Sequence, residues 1–131
     1  MAAASSFPGA GRFLPNRRTL PQLRIAVQSC QGCDLHLHAT QAVFGEGPKT
    51  AQVVLVGEQP GNEEDLQGHP FVGPSGGILD RALADAAVDR SLAYVTNVVK
   101  HFRFEERGRG GFTRSPLWRK FVPASLGLKL K

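Results

Sequence analysis

With 131 residues the chain has room for one small domain and a modest core. No stretch approaches the roughly 20 apolar residues of a membrane span, and two cysteines exclude a disulfide scaffold. The net charge of +5 joins unlike parts: residues 1–33 carry +4, residues 34–99 carry −6 and residues 100–131 carry +7. An acidic centre between basic arms suits a polyanion such as nucleic acid, although charge runs of this kind also occur as plain solvated surface.

In chain order, residues 1–18 are rich in Ala, Ser, Gly and Pro and carry arginine but no acid. They read as a disordered basic tail, and residues 1–33 as a whole have a composition faintly like that of an organelle transit peptide. Between residues 19 and 29, Leu20, Leu23, Ala26 and Val27 fall at helical spacing, with Thr19 placed to cap and Pro21 tolerated in the first turn. This helix delivers Cys30 at its end and Cys33 just beyond, as C-Q-G-C. The spacing fits metal or redox chemistry, yet a thioredoxin-type pair follows a strand and opens a helix, the reverse of this order. A metal site needs further ligands, and His36, His38, His69, His101 and carboxylates are the candidates by residue type. His36 and His38 alternate with Leu35 and Leu37, which predicts an extended segment, and Gly45-Glu46-Gly47-Pro48 predicts a turn.

The stretch Q-V-V-L-V-G-E-Q-P-G-N-E-E-D-L-Q-G-H-P-F-V-G-P-S-G-G, residues 52–77, organises the rest. Val53 to Val56 have the composition of a strand buried on both faces, ending at Gly57. A polar loop follows, and then Ile78-Leu79, Ala82-Leu83 and Ala86-Ala87 recur at helical spacing to about Val88. This is half of a βαβ unit, whose ligands bind beyond the strand's carboxyl end. Glu58 stands there as a rigidly held carboxylate or a simple capping acid. Phe71 is either a plug on the sheet or a stacking platform for a planar ligand. Residues 73–77, Gly-Pro-Ser-Gly-Gly, open the helix and could offer backbone N–H groups to a phosphate. No G-x-G-x-x-G follows the strand, so the fingerprint of a dinucleotide site is missing.

Tyr94-Val95-Thr96-Asn97-Val98-Val99 reads as a second strand parallel to the first. Asn97 falls inside this apolar run, where a buried amide ties loops together or reads a ligand's edge. The strand ends at Lys100-His101, which places Glu58, Asn97 and His101 around one crevice. Beyond Glu106 the chain is basic and glycine-rich, and residues 112–131 show no clean period.

The segments G-E-Q-P-G-N-E-E-D-L-Q-G-H-P-F-V-G-P-S-G and Y-V-T-N-V-V-K-H strongly resemble the family 4 uracil-DNA glycosylases, and the X-type bacterial branch in its Glu-Gln pair. The upstream segments F-L-P-N-R-R-T-L and C-Q-G-C-D-L-H-L-H-A-T-Q-A-V-F-G-E-G-P match as well, so the resemblance runs from about Arg12 to Arg107. It implies a three-layer α/β/α fold with a four-stranded parallel sheet. It also implies a base-flipping site, a 4Fe-4S cluster and uracil-containing DNA as partner, single-stranded by preference, for a cytoplasmic monomer. Glu58 and Gln59 would lie beside the glycosidic bond, Phe71 would stack on the extruded uracil and Asn97 would pair with its edge. Gly57 would border that base, and Gly73, Ser75 and Gly76 would lie near phosphates. Cys30, Cys33 and His101 match three cluster ligands, the last being histidine in the X-type branch and cysteine in most of the family.

The departures shape the expectation. The family's fourth cluster cysteine, two further strands and late His-Pro-Ser motif have no counterpart here. The X-type branch also carries a basic loop, roughly Arg-Arg-Ile-His-Lys, whose histidine traps the DNA. Gly108-Arg109-Gly110-Gly111-Phe112-Thr113-Arg114-Ser115-Pro116 stands in its place. Those nine residues can be encoded so that a frame two nucleotides later reads Ala-Arg-Arg-Ile-His-Lys-Lys-Pro. The expectation is therefore a truncated or frameshifted chain. It has a disordered tail at 1–18, the N-terminal part of a glycosylase-like domain at 19–109 and a non-family basic tail at 110–131. Its α/β/α fold would be incomplete at the C-terminus and its activity impaired or lost. The rival reading is a non-enzymatic remnant that binds DNA or a partner.

Overall fold

A computed structural model describes residues 6–103, together with the backbone of two short strands, Glu105–Arg107 and Gly111–Thr113. Residues 1–5, 104, 108–110 and 114–131, including most of the expected non-family tail, lie outside the described residues.

The main sheet holds β1 (Gly45–Glu46), β2 (Val53–Gly57) and β3 (Ala93–Asn97) in the order β1-β3-β2. β2 and β3 are parallel, with Val53 opposite Ala93 and Gly57 opposite Asn97, as the strand–helix–strand reading requires. β1 is antiparallel to β3, with Gly45 opposite Thr96 and Glu46 opposite Val95. The expected turn at residues 45–48 is thus partly a strand, and the sheet is mixed instead of wholly parallel. Glycine makes this possible: Gly47, at φ 138, lies so close to β3 that a Cβ would sit 2.4 Å from the Ala93 carbonyl oxygen. β4 (Glu105–Arg107) and β5 (Gly111–Thr113) form a separate antiparallel pair.

Helix α1 (Leu20–Val27) starts after an extended Thr19 with Pro21 in its first turn, as expected, but the Thr19 side chain makes no capping hydrogen bond. The loop after β2 contains a helix the periodicity did not show, α2 (Asn62–Gln67). Its start is fixed by Glu64, whose carboxylate accepts the Gly61 N–H at 3.0 Å, half of a capping box. Its end is Gly68, in the left-handed conformation at φ 79. Helix α3 (Pro74–Asp85) begins at Pro74, ahead of the apolar repeat, and stops short of Val88. There the Val88 N–H reaches the Leu83 carbonyl at 2.9 Å and the Ala87 N–H reaches that of Ala84 at 3.0 Å, the Schellman pattern. Ala87 takes the left-handed position at φ 56, where glycine is usual.

Among the described residues the buried apolar side chains include Leu35, Ala42, Val43, Pro60, Pro70, Leu83, Ala93, Val95 and Phe102. On central β3, Ala93, Val95 and Asn97 form one buried row, so the amide continues the core's own alternation to the carboxyl end of the strand. β2 differs from expectation: Val53, Val54 and Val56 are 42%, 58% and 58% exposed. It is the outer strand of the sheet, with one face open among the described residues. Residues 34–37, expected to be extended, form a 3-10 turn (Asp34–Leu37) that buries Leu35. Residues 6–18, expected to be unstructured, carry a 3-10 turn (Ala10–Phe13), and the Gly9 N–H reaches the Gly32 carbonyl at 2.9 Å.

Ala87→Gly removes a Cβ from a left-handed residue. It is expected to raise stability by about 0.5–1 kcal/mol, the relief of strain exceeding the extra freedom given to the unfolded chain. Urea denaturation reads this as a higher midpoint at unchanged slope, and a lower midpoint would contradict the cap.

Candidate active site

Three residues meet at the carboxyl ends of β2 and β3. Gly57, the last residue of β2, lies opposite Asn97, the last of β3. A Cβ at Gly57 would lie 2.4 Å from Asn97 Oδ1 and 2.8 Å from Phe71 Cζ. Only a residue without a side chain lets the amide and the phenyl ring close over the strand end. Pairing continues beyond the strands, because the Val98 N–H donates to the Gly57 carbonyl at 2.8 Å and the Val99 N–H to that of Glu58 at 3.1 Å. The Glu58 backbone is therefore tied to the sheet while the residue is exposed. Gln59 follows, and its Oε1 is buried with no hydrogen-bond partner among the described residues. A buried amide oxygen left without a donor is uncommon in a structural role.

Phe71 has a positive φ of 55, an outlier for a bulky side chain. Its carbonyl packs onto Gly76, where a Cβ would lie 1.9 Å from the Phe71 oxygen. The expected phosphate loop at 73–76 is partly committed to internal bonds. The Gly73 N–H donates to Glu64 Oε1 at 3.0 Å, and the Gly76 N–H to the Gly73 carbonyl at 2.9 Å. Ser75, in the same turn, is exposed.

Residues 40–46 bind this edge to the rest of the fold. The Thr40 N–H donates to both Asp65 carboxylate oxygens, at 2.9 and 3.1 Å. Gln28 exchanges a reciprocal pair with the Ala42 backbone at 2.9 and 3.1 Å. The Val43 N–H donates to the Lys100 carbonyl at 2.7 Å. Lys100 Nζ donates to the Phe44 carbonyl at 3.0 Å and, at 2.6 Å each, to Thr96 Oγ1 and the Asn97 carbonyl. Both Lys100 and Arg24 lie over the Phe44 ring, at 5.6 and 5.3 Å. Burial pushes the Lys100 pKa below the usual lysine value.

The structure brings Gly57, Glu58, Phe71 and Asn97 to one edge. His101 is buried, and burial, helped by His36, lowers its pKa while Asp65 opposes the shift. His36 Nδ1 in turn donates to the Cys33 carbonyl at 2.6 Å. Cys30 is half-buried and Cys33 exposed, both as free thiols. Among the described residues no three His, Cys, Asp or Glu side chains gather as a metal-binding group. Cys30, Cys33 and His101 are therefore not brought together as such a group among the described residues.

Glu64, Asp65, Arg90 and Lys100 hold the site, and the sequence reading gave none of them a role. Gly61-x-x-Glu64 has capping-box spacing that could have revealed Glu64. Asp65 and Arg90 bond mainly to distant backbone amides and carbonyls, and Lys100 joins its neighbours Thr96 and Asn97 to the distant Phe44 carbonyl, which leaves no clear local signal.

The profile of the uracil DNA glycosylase superfamily matches residues 44–126, and the chain belongs to that superfamily. It is 47% identical over 74 residues to a type-4 uracil-DNA glycosylase of Archaeoglobus fulgidus, covering 56% of this chain and 37% of that protein. A Thermotoga maritima protein of the same description is 46% identical over 74 residues, covering 56% of this chain and 38% of its own. One from Pyrobaculum aerophilum is 43% identical over 81 residues, covering 62% and 41%. The chain spans about two fifths of the length of these curated relatives. The described helices and small mixed sheet are those of an incomplete α/β fold. No helix among the described residues is long and apolar enough to cross a membrane.

Gly76 and Gly77 are neighbours in α3 with opposite surroundings, because a Cβ at Gly77 meets nothing within 4 Å. Gly77→Ala is expected to stabilise by about 0.5–1 kcal/mol through helix propensity. Gly76→Ala should destabilise by about 1–3 kcal/mol through overpacking against the Phe71 backbone. Thermal unfolding of the two variants checks the contrast, and equal effects would contradict the close approach.

Proposed function

We propose that this chain carries the base-recognition part of a uracil-DNA glycosylase site. It accepts uracil extruded from DNA, single-stranded by preference, for cleavage of the N-glycosidic bond in base-excision repair. It would act as a cytoplasmic monomer. The observation that supports this most is the meeting of Phe71 and Asn97 across Gly57. A flipped pyrimidine needs a flat apolar surface and an amide that matches its hydrogen-bonding edge. Uracil departs as an anion and leaves an oxocarbenium-like sugar. In this reading the Glu58 carboxylate favours that cation electrostatically, beside Gln59. Because the Gly73 and Gly76 amides are already engaged, the exposed Ser75 is the residue of that turn left to meet a phosphate.

The bond-breaking step is proposed to be slow. Where similar X-type sequences carry a histidine-bearing basic loop, residues 108–116 read Gly-Arg-Gly-Gly-Phe-Thr-Arg-Ser-Pro, with no histidine to trap the sugar covalently. A cluster enters none of these steps. Anaerobic reconstitution with ferrous iron and sulfide is expected to leave well under one 4Fe-4S cluster per chain. A full complement of iron with the matching visible absorption would restore Cys30, Cys33 and His101 as ligands.

A single-stranded oligonucleotide with one uracil tests the function. The chain should bind it more tightly than the thymine analogue. Uracil release should be slower than that of the Archaeoglobus fulgidus relative by about tenfold or more, a difference of about 1.4 kcal/mol in barrier, with no adduct on a denaturing gel. Phe71→Ala should weaken uracil-strand binding by roughly 5- to 150-fold, the range for losing about 1–3 kcal/mol of base stacking. Binding with uracil preference but no release would make the chain a non-enzymatic module. Equal affinity for uracil and thymine strands would overturn the proposal.

A further inference from the structure

We infer that Arg90 is a positioning residue for Phe71, holding the ring's backbone in the conformation that completes the base pocket. The inference rests on the proposed role of Phe71 as a stacking surface.

The starting observation is the left-handed backbone of Phe71, at φ 55. An aromatic residue keeps such a conformation only where its surroundings over-determine it. Gly76 supplies one constraint by leaving room for the Phe71 carbonyl. Arg90 supplies the other. Its Nη2 donates to the carbonyls of Phe71, at 3.2 Å, and of Pro70, at 3.4 Å. Its Nη1 pairs with Asp80 of α3. One planar guanidinium thus ties two consecutive carbonyls of the loop to the helix that follows it. Pro70 is fully buried, so the loop is anchored on the side preceding Phe71 as well.

Position gives Arg90 a second connection. It opens the 3-10 turn Arg90–Leu92, which runs directly into Ala93 of β3. The same residue therefore links the Phe71 loop to the strand whose far end is Asn97. Gly57 is where the two meet, with Phe71 Cζ on one side and Asn97 Oδ1 on the other. If the clamp is released, the Phe71 backbone can relax towards negative φ and swing the ring away from Gly57. Lysine cannot substitute, because an ammonium is a point charge without the fork that serves carboxylate and carbonyls together.

The test has a ligand-free arm and a DNA arm. In the free protein, the nuclear Overhauser contact between the Phe71 ring and the Gly57 α-protons should be present in the wild type and lost in Arg90→Gln. Arg90→Lys, which keeps the charge, should lose it too and decides the matter if the glutamine variant does not fold. A contact retained in both variants overturns the inference whatever the DNA arm shows. In the DNA arm, Arg90→Lys should reduce the preference for uracil over thymine strands by about tenfold when Phe71 is present. It should have no further effect in a Phe71→Ala background, the coupling expected of a residue acting through another. Equal losses in both backgrounds would mean general structural support and overturn the positioning role. A wild type without uracil preference would sink the proposed function and the pocket role, while the ring contact would still show whether Arg90 sets the loop.

Discussion

Two consecutive buried carboxylates, Glu64 and Asp65, are the constraint on which the described structure depends. Both are 4% exposed, and each is satisfied by backbone N–H groups from other parts of the chain. A carboxylate buried without such donors would be too costly to keep. Glu64 takes the N–H of Gly61 with one oxygen and that of Gly73 with the other, so the starts of α2 and α3 share one side chain. Asp65 faces away to Thr40 and holds the segment that leads into β1. Through this pair of neighbours, one helical turn fixes the loop bearing Phe71 relative to both the sheet and α3.

Within that frame the site is made by close approaches that only missing side chains allow. Gly57 admits the ring and the amide to the end of β2, and Gly76 admits the Phe71 backbone to the first turn of α3. The glycines do more than permit turns here. They are the points where two elements come nearer than any Cβ would let them, and both lie in the same small volume. Such a site is rigid because its parts are packed against backbone, which has no rotamer to escape into.

Much of this was legible in the sequence. The apolar run before Gly57, the helical repeat after it and the second strand at Asn97 each follow from local pattern, and so did the parallel pairing of β2 with β3. Asn97 stood out as an amide in an apolar run and proves to be the last of a buried row. What the pattern hid was non-local. Gly45–Glu46 looked like a turn because a two-residue strand has no period, and its pairing to β3 depends on residues fifty positions away. α2 is too short and too acidic to show an apolar face, and only its cap betrays it. Val53, Val54 and Val56 suggested burial on both faces, but composition cannot say whether a strand lies inside a sheet or at its border.

That open face changes how the stability of the site should be understood. Among the described residues few large side chains are buried, and several apolar ones on β2, at Ile78 and at Val98 stay exposed. Hydrophobic burial alone therefore does little to define where Phe71 and Asn97 sit. Their placement rests on directed polar contacts to backbone, from Glu64, Asp65, Arg90 and Lys100. Each of these contributes modestly in water-exposed surroundings and considerably more where the acceptor or donor is buried. The geometry of the pocket and the stability of the fold are consequently separable properties. Loss of one stitch can misplace the ring by an ångström or two without unfolding the sheet, and added core packing would stabilise the chain without sharpening its pocket.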